Sequence, residues 1–480
     1  MSLSNEVSST KLQFLNLRRF GSTDAFVTEH DSINYGQLAD RVDSFHEYFC
    51  ARDLVFCLCR NSLGSIIGYL AALRHQVIPV LLSAQYSCEH LSVLISAYHP
   101  KFIWIPQNLV TPEAYQDAGV SLYDYRLLIA KILPRYPVAA ELAVLMTTSG
   151  STGNPVFIRQ SYQNIAENTE SICKSLSITN IDRPMTTLPM NYTYGLSVLH
   201  THLSRGCTIV LNDASMMEKS FWSLVRDQEV SSFAGVPYTY EMLDRLRFER
   251  MLLPTLKVMT QAGGALRKDL VTKFAELCAE RGMRFYSMYG QVEATARMSC
   301  LPHEFAISKA GSIGTAIPGG RFWLEDEQGL VIDSADVAGE LCYSGKNVSM
   351  GIASSYADLN LPDVRQGILH TGDMAYRDSD GFYFIVGRKK RFVKLFGHRM
   401  NLADIEDFLG RKEIECACVG DDQCIRIFTT IDVSAHRKIQ QDLAESLGIH
   451  ASAFTIISID QIPRNESGKI LYPQLQKRVD

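Results

Sequence analysis

A polar loop rich in hydroxyl residues and glycine follows an apolar run in the first third of the chain. The loop is TTSGSTGNPV, which begins at Thr147, and the apolar run before it is AVLM. Hydroxyl side chains and the backbone amides around Gly150 and Gly153 can surround phosphate oxygens. The pattern G-x-x-x-x-G-K-S/T is absent, so a P-loop NTPase is disfavoured. The loop therefore predicts a phosphate site of another kind.

Four strand-like runs of the sequence each end in a polar or glycine-bearing loop. They are AVLM before TTSGSTG, MTTL before PMNYTYG, LKVMT before QAGGAL and RFYSM before YGQVEAT. In an open parallel sheet such loops gather at the carboxyl ends of the strands, where ligands bind. Helical and strand-like patterns alternate from about Ile33 onward, which indicates α/β layers. We therefore predict an α/β fold in which the four loops build one pocket.

The chain of 480 residues exceeds what one hydrophobic core usually organises. A turn at Asp380-Gly381 followed by a basic run from Arg388 marks a boundary. We predict a large N-terminal multi-layer α/β domain over 1–386 and a small mobile α+β domain over 387–480. In the second domain, IRIFTTIDV should form a strand and AHRKIQQDLAESLG a helix.

Composition narrows the class of partner and the compartment. A net charge of -5 gives no basic footprint, so nucleic acid is not an expected partner. The longest apolar tract is interrupted by Arg60, Asn61, Arg74 and His75, which favours buried core over a membrane span. The amino terminus lacks a secretory pattern, and the 12 cysteines lack disulfide or zinc spacing. Cys57 with Cys59, and Cys416 with Cys418, are expected to be reduced thiols packed on one face of a strand, and the predicted location is cytoplasmic.

Five motifs occur in an order that one superfamily shares. They are TTSGSTGNP, GGALR, YGQVEAT, TGD with GFYFIVGRKKRFVK, and PRNESGK near the C terminus. Over nearly its whole length the sequence resembles the adenylate-forming superfamily of acyl-CoA synthetases, luciferases and adenylation domains. The resemblance implies a stand-alone AMP-forming ligase. Such an enzyme activates a carboxylic acid with ATP to an acyl-adenylate and then transfers the acyl group to a thiol.

The resemblance assigns the catalytic charges to three residues. It implies that Lys469 bridges the acid carboxylate and the α-phosphate, and that Thr148 and Glu293 hold magnesium. Magnesium prefers oxygen ligands, which both side chains supply. Joining two anions at phosphorus requires cations and aimed dipoles, and a lysine is a compact charge on a long stem. We therefore expect Lys469, Thr148 and Glu293 to be catalytic.

The resemblance also implies nucleotide contacts and a hinge. Asp373 is the expected ribose ligand, because a carboxylate can accept hydrogen bonds from both hydroxyls. Arg388 is the expected partner of ribose or phosphate, Tyr289 should lie against adenine, and Lys390 falls at the hinge position. The expected ATP-binding residues are Thr147, Thr148, Ser149, Gly150, Ser151, Thr152, Gly153, Gly263, Gly264, Ala265, Tyr289, Gly290, Gln291, Asp373, Arg388 and Lys469.

Four positions depart from the superfamily's pattern. Val156 and Phe157 follow the proline of the phosphate loop, where Lys-Gly is common. Val292 replaces the usual threonine before Glu293, and Ser287 stands where asparagine is common. Some phosphate or adenine contact is therefore expected to be made differently.

An acid-binding pocket is predicted around LPMNYTYGLS. Tyr192 stands where relatives often carry histidine, and Gly195 stands where amino-acid-activating relatives place an aspartate for the substrate ammonium. Without that aspartate an amino acid would bury an unpaired charge, so a small carboxylic acid lacking an α-amino group is favoured. The tyrosine hydroxyls suit a hydroxylated or aromatic acid as well as a short acyl chain. The expected pocket walls are Tyr192, Tyr194, Gly195, Val236, Tyr238 and Gly264.

The sequence leaves the acyl acceptor open. No carrier domain is recognised in it, so the thiol is expected to come in trans, from coenzyme A or from the phosphopantetheine arm of a separate acyl carrier protein. Two other functions also remain open. The chain could pass the acyl group to an amine or hydroxyl, or it could be a non-catalytic nucleotide-binding homologue, which Val156 and Val292 would explain.

Overall fold

A computed structural model of the chain describes residues 12–133, 135–147, 156–395, 398–421, 424–447, 450–465, 468 and 470–478. The chain divides into two compact units. Unit 1 consists of Met1–Arg321 and Tyr343–Leu369, and unit 2 consists of Phe322–Cys342 and His370–Asp480. The predicted division into domains of residues 1–386 and 387–480 stays a prediction.

The described residues form strands and α-helices, and several strands follow one another without an intervening α-helix. The strands are β1 (Asp24–Val27), β2 (Ser32–Asn34), β3 (Leu54–Cys59), β4 (Ile78–Ser83), β5 (Phe102–Pro106), β6 (Tyr115–Leu122), β7 (Tyr125–Ala130), β8 (Leu142–Thr147), β9 (Phe157–Ser161), β10 (Ile209–Val210), β11 (Ser232–Gly235), β12 (Val258–Gln261), β13 (Arg284–Tyr289), β14 (Ser299–Leu301), β15 (Thr315–Ala316), β16 (Gly320–Glu325), β17 (Gly339–Gly345), β18 (Gly351–Ala353), β19 (Ile368–Arg377), β20 (Tyr383–Arg388), β21 (Phe392–Leu395), β22 (His398–Asn401), β23 (Cys416–Gly420), β24 (Ile425–Thr429) and β25 (Phe454–Ser458). The α-helices are α1 (Tyr35–Asp43), α2 (Leu63–Arg74), α3 (Cys88–Tyr98), α4 (Tyr162–Leu176), α5 (Thr193–Arg205), α6 (Lys219–Asp227), α7 (Pro237–Arg245), α8 (Lys268–Glu280), α9 (Leu402–Gly410), α10 (His436–Leu447) and α11 (Tyr472–Gln476).

An eight-stranded sheet in the order β18-β9-β8-β4-β3-β5-β7-β6 forms one layer of unit 1. Its centre is parallel, and β7 and β9 join it antiparallel. All six residues of β3 are buried, because helices cover both faces of a parallel sheet. Cys57 and Cys59 both pack on the face that contacts α2, as expected of residues two apart on a strand.

A second sheet has the order β11-β12-β13-β14-β15, and the predicted loops QAGGAL and YGQVEAT follow β12 and β13. Strands β11, β12 and β13 are parallel, so their carboxyl ends lie at the same edge. The predicted runs LKVMT and RFYSM coincide with β12 and β13, and AVLM coincides with β8. The run MTTL is not one of the strands of the described residues; isolated bridges occur at Met185 and at the preceding Pro184. The α/β prediction is confirmed.

Unit 2 contains a small α+β core. Strands β23, β24 and β25 form a sheet against which α9 and α10 pack through Ile405, Leu409 and Leu443. Strand β24 and helix α10 occupy the predicted segments IRIFTTIDV and AHRKIQQDLAESLG. None of the described helices is long and apolar enough to span a bilayer.

Candidate active site

The loop after β13 contains a strained turn next to Glu293. Thr295 has φ +68° and ψ -70°, and the Ala296 amide donates to the Ala294 carbonyl at 2.8 Å. A γ-turn with positive φ is rare, and for a β-branched residue it is strained. Gly290 is required at the start of the loop, since a Cβ there would overlap the Ala296 carbonyl oxygen. Strain of this kind persists only where the surroundings fix it.

Buried amides supply those surroundings. Asn347 is 4% exposed, and its Nδ2 donates to the carbonyls of Ala294 at 3.0 Å and Arg297 at 2.9 Å. Its own carbonyl accepts from the Thr295 hydroxyl at 2.7 Å. Asn168 donates to the Arg297 carbonyl at 2.8 Å and accepts from the Arg297 amide at 3.2 Å. Sequence reasoning missed this clamp, because its members are far apart in the sequence.

Hydrogen bonds to its backbone carbonyl fix the position of Glu293. Its carbonyl accepts from the Ser349 amide at 2.9 Å and from Arg365 Nη1 at 3.0 Å. The side chain is half-buried, and within the described residues no ion pair forms with its carboxylate. A carboxylate on a fixed backbone suits a hard cation such as magnesium. Thr148, the other expected ligand, lies outside the described residues.

The glycine pair follows β12 and closes against an aromatic residue. Gly263 has φ +87°, and a Cβ there would overlap the Tyr192 hydroxyl. Gln261 Nε2 donates to the Gly264 carbonyl at 2.8 Å, and this hydrogen bond fixes the loop to the end of β12. Ala265 is exposed. The glycines are therefore needed for close approach, and Gln261 is a positioning residue that the motif search did not identify.

The predicted nucleotide residues of unit 1 lie at the ends of strands. Tyr289 ends β13, and its hydroxyl accepts from Gln291 Nε2 at 3.0 Å. Thr147 ends β8, opposite Phe157 of the antiparallel strand β9. Residues 148–155, which include Ser149, Gly150, Ser151, Thr152 and Gly153, lie outside the described residues.

Unit 2 brings together the two residues expected at ribose. Asp373 and Arg388 are opposite each other on β19 and β20. Arg388 Nε lies 2.7 Å from Asp373 Oδ1, and the Asp373 side chain is only 4% exposed. The Asp373 amide donates to the Thr371 hydroxyl at 3.0 Å, which fixes the carboxylate at the strand.

The expected hinge follows β20 directly. Lys390 lies in a short 3₁₀ turn, Lys389–Arg391, and nothing is described of its side chain. Gly387 has φ +150°, and a Cβ there would overlap Asn401 Nδ2, which donates to the Val386 carbonyl. Lys469 lies outside the described residues.

A cavity lies between α4, α5 and the second sheet. Even-numbered strand residues face it, including Val258 and Thr260 of β12, because side chains alternate between the faces of a strand. Among the six predicted walls, only Tyr194 lines this cavity. Its hydroxyl is already bonded to Thr260, with Oη 2.7 Å from Oγ1. Burial raises the pKa of Tyr194 to about 12 and lowers the pKa of His202 to about 4, so both are neutral near pH 7.

The other predicted walls have different surroundings. Tyr192 packs at Gly263, Val236 is buried, and Tyr238 is 42% exposed. A Cβ at Gly195 would overlap the Pro189 carbonyl oxygen and lie 2.8 Å from the Leu188 carbonyl oxygen. Gly195 therefore serves close packing of α5 against the preceding loop, and an aspartate there would require the backbone to move.

Arg297 lines the same cavity and was not predicted. It is 4% exposed, and its guanidinium carbon lies 3.7 Å from the centroid of the Tyr194 ring. Burial lowers the pKa of Arg297. The available sequence signal was an arginine in the otherwise small and apolar run ATARMSC, four residues after Glu293.

Comparisons with known proteins agree with this geometry. Residues 15–353 match the family described as AMP-binding enzyme. A 2-succinylbenzoate--CoA ligase of Bacillus cereus (strain AH820) is 24% identical over 98% of this chain and 99% of its own length.

Two solved structures of the o-succinylbenzoate CoA synthetase (MenE) from Bacillus subtilis share the fold. The complex with the acyl-adenylate OSB-AMP aligns with a TM-score of 0.78 at 20% identity, covering 97% of this chain and 98% of that one. The complex with ATP and magnesium ion aligns with a TM-score of 0.75 at 20% identity, covering 97% and 99%.

Proposed function

The chain belongs to the AMP-binding enzyme family and is an AMP-forming acid–thiol ligase that uses ATP and magnesium, and we propose that its thiol is coenzyme A. The relatives aligned over nearly the whole chain are named as coenzyme A ligases, which supports this acceptor over a separate carrier protein. We further propose that a small carboxylic acid without an α-amino group occupies the cavity beside β12. Its apolar lining favours an acid with an apolar or aromatic body.

One observation carries the proposal for the site. The loop from Gly290 to Arg297 presents the carboxylate of Glu293, and four residues later it contributes a wall of the cavity. A single clamped loop can therefore serve both a metal–nucleotide site and an acid site. This arrangement suits a reaction that joins a carboxylate to a nucleotide phosphate.

The proposed reaction has two steps. A carboxylate oxygen first attacks the α-phosphorus of ATP, and pyrophosphate leaves. The thiol sulfur then attacks the acyl carbonyl, AMP leaves with the bonding electrons, and the thiol proton passes to solvent. Magnesium, when bound, neutralises phosphate charge and orients the leaving pyrophosphate.

We assign this chain's residues to these steps as follows. Thr148 and Glu293 hold the metal, and the remaining residues of Thr147–Gly153 donate to phosphate oxygens. Asp373, fixed by Arg388, accepts from the ribose hydroxyls. Lys469 stabilises charge between the two anions in the first step.

The acceptor is tested after the acid has been identified. A panel of carboxylic acids is screened by ATP–pyrophosphate exchange without thiol, and the best acid is then incubated with either coenzyme A or a phosphopantetheinylated carrier protein. We expect AMP and an acyl-CoA thioester to form in equal amounts. AMP release that depends on the carrier protein and not on coenzyme A would contradict the proposed acceptor.

A further inference from the structure

The buried guanidinium of Arg297 has no anionic partner among the described residues. In the part of the chain that the structure describes, no carboxylate forms an ion pair with it, and its Nε has no hydrogen-bond partner. The guanidinium carbon makes a cation–π contact with Tyr194, 3.7 Å from the centroid of the ring. A buried charge without an anion is unfavourable unless something else compensates it.

The rest of the cavity does not supply that compensation. Its lining is mostly apolar, with Met185, Phe233, Val258 and Met288 on the side of the second sheet. Asp182 lines it as well, but its carboxylate accepts from the amide and hydroxyl of Thr179. The lining also includes His202, which is neutral, and a second cation, Arg284.

None of the described residues assigned to the nucleotide lines this cavity. Among the described residues, neither the glycine pair nor Tyr289 nor Glu293 contributes to its lining. For an acid bound in this cavity as proposed above, Arg297 faces the part that is remote from the activated carboxyl group.

We propose that Arg297 binds a second carboxylate of the acid substrate, so that the substrate class is a dicarboxylic acid with an apolar or aromatic body. A guanidinium can bind a carboxylate through two parallel hydrogen bonds, and of the two arginines in this lining Arg297 is the buried one. The inference rests on the proposed function of acid activation and specifies its substrate. Arg297 is then a specificity-determining residue: its anion comes from the substrate, and an acid without the second carboxylate leaves the cation unpaired.

The test uses matched acids that differ by one carboxylate. The pairs are 2-succinylbenzoate with 4-oxo-4-phenylbutyrate, and suberate with octanoate, assayed by ATP–pyrophosphate exchange in the full-length protein. We expect the wild type to prefer the dicarboxylate of at least one pair. In R297M, kcat/KM for that acid should fall by at least about 30-fold, mainly through KM, while its monocarboxylate partner loses little. R297K should retain part of the preference.

A binding measurement that does not depend on turnover accompanies the exchange assay. The preferred dicarboxylate should raise the thermal unfolding midpoint of the wild type and not that of R297M. Without ligand, R297M should unfold at the same or a higher temperature than the wild type, because an unpaired buried charge has been removed. A folded R297M that is still stabilised by the dicarboxylate would overturn the inference.

R284M is the matched control, because it removes the other cation of the same cavity. We expect it to keep the preference for the dicarboxylate, and loss of the preference in R284M but not in R297M would overturn the assignment. Exchange with monocarboxylates alone, or an equal loss for both members of a pair in R297M, would overturn the inference and leave the proposed function standing. If no acid of a broad panel supports pyrophosphate exchange, both the inference about Arg297 and the proposed function are overturned.

Discussion

Glu293 is the residue whose charge we expect to matter most for magnesium. Its backbone is fixed by Ser349 and Arg365, so E293Q should change the ligand and not the loop. We expect the magnesium concentration for half-maximal pyrophosphate exchange to rise by at least about tenfold, since a charged oxygen ligand is replaced by a neutral one. E304Q, which changes an exposed acid, is the control. An unchanged magnesium dependence in E293Q would remove Glu293 from the metal site.

Sequence motifs predicted some of the site glycines but missed Arg297. The glycines at 263 and 290 were predicted from superfamily motifs, and the structure shows that a side chain there would overlap Tyr192 and Ala296, respectively. Arg297 was missed because a motif records residue types shared by a superfamily, whereas its position in the cavity depends on Tyr194 beneath it. Gly195 was read as a pocket wall from its position in a motif, but its environment is close backbone packing.

At the scale of elements, the loop after β13 depends on Asn347. N347D keeps the shape of the side chain but replaces the donor to the Ala294 and Arg297 carbonyls by a second acceptor. We expect a loss of about 2 kcal/mol or more in the free energy of unfolding, since two buried carbonyls lose their donor, together with reduced pyrophosphate exchange. N212D alters a buried amide that is bonded only to Ala214 in its own loop, so it should lose stability and keep exchange. Full exchange activity in a destabilised N347D would show that the clamp does not position the site.

The predicted hinge lies in the short turn Lys389–Arg391. Proline at Lys390 fixes φ and removes a backbone donor, so K390P should hinder a change of backbone angle more than it hinders folding. We expect thioester formation to fall at least about tenfold while pyrophosphate exchange is largely retained, because one site must serve both steps by a domain movement. K390A removes the side chain without fixing φ and should retain both steps. Equal retention of both steps in K390P would place the pivot elsewhere.

For the whole molecule, periodicity and loop chemistry predicted the α/β class, three of the four strands that precede the loops, and the strand and helix of the small unit. The fourth run, MTTL, is not one of the strands of the described residues: Met185 makes a single isolated bridge to Val210 of β10. The clamp of Asn168 and Asn347 on one loop joins residues far apart in sequence, so only the folded structure reveals it. The acid pocket was the least predictable part, since its walls come from two helices and three strands.

The most direct test of the two-step account compares K469A with the wild type in paired half-reactions. The first measurement is pyrophosphate exchange with the cognate acid, and the second is single-turnover AMP release from synthetic acyl-adenylate and coenzyme A. We predict that exchange falls by about 10²- to 10³-fold, as for the loss of another preorganised charge-stabilising group, while AMP release stays close to that of the wild type. A parallel loss of both steps, or a loss of neither, would contradict the account.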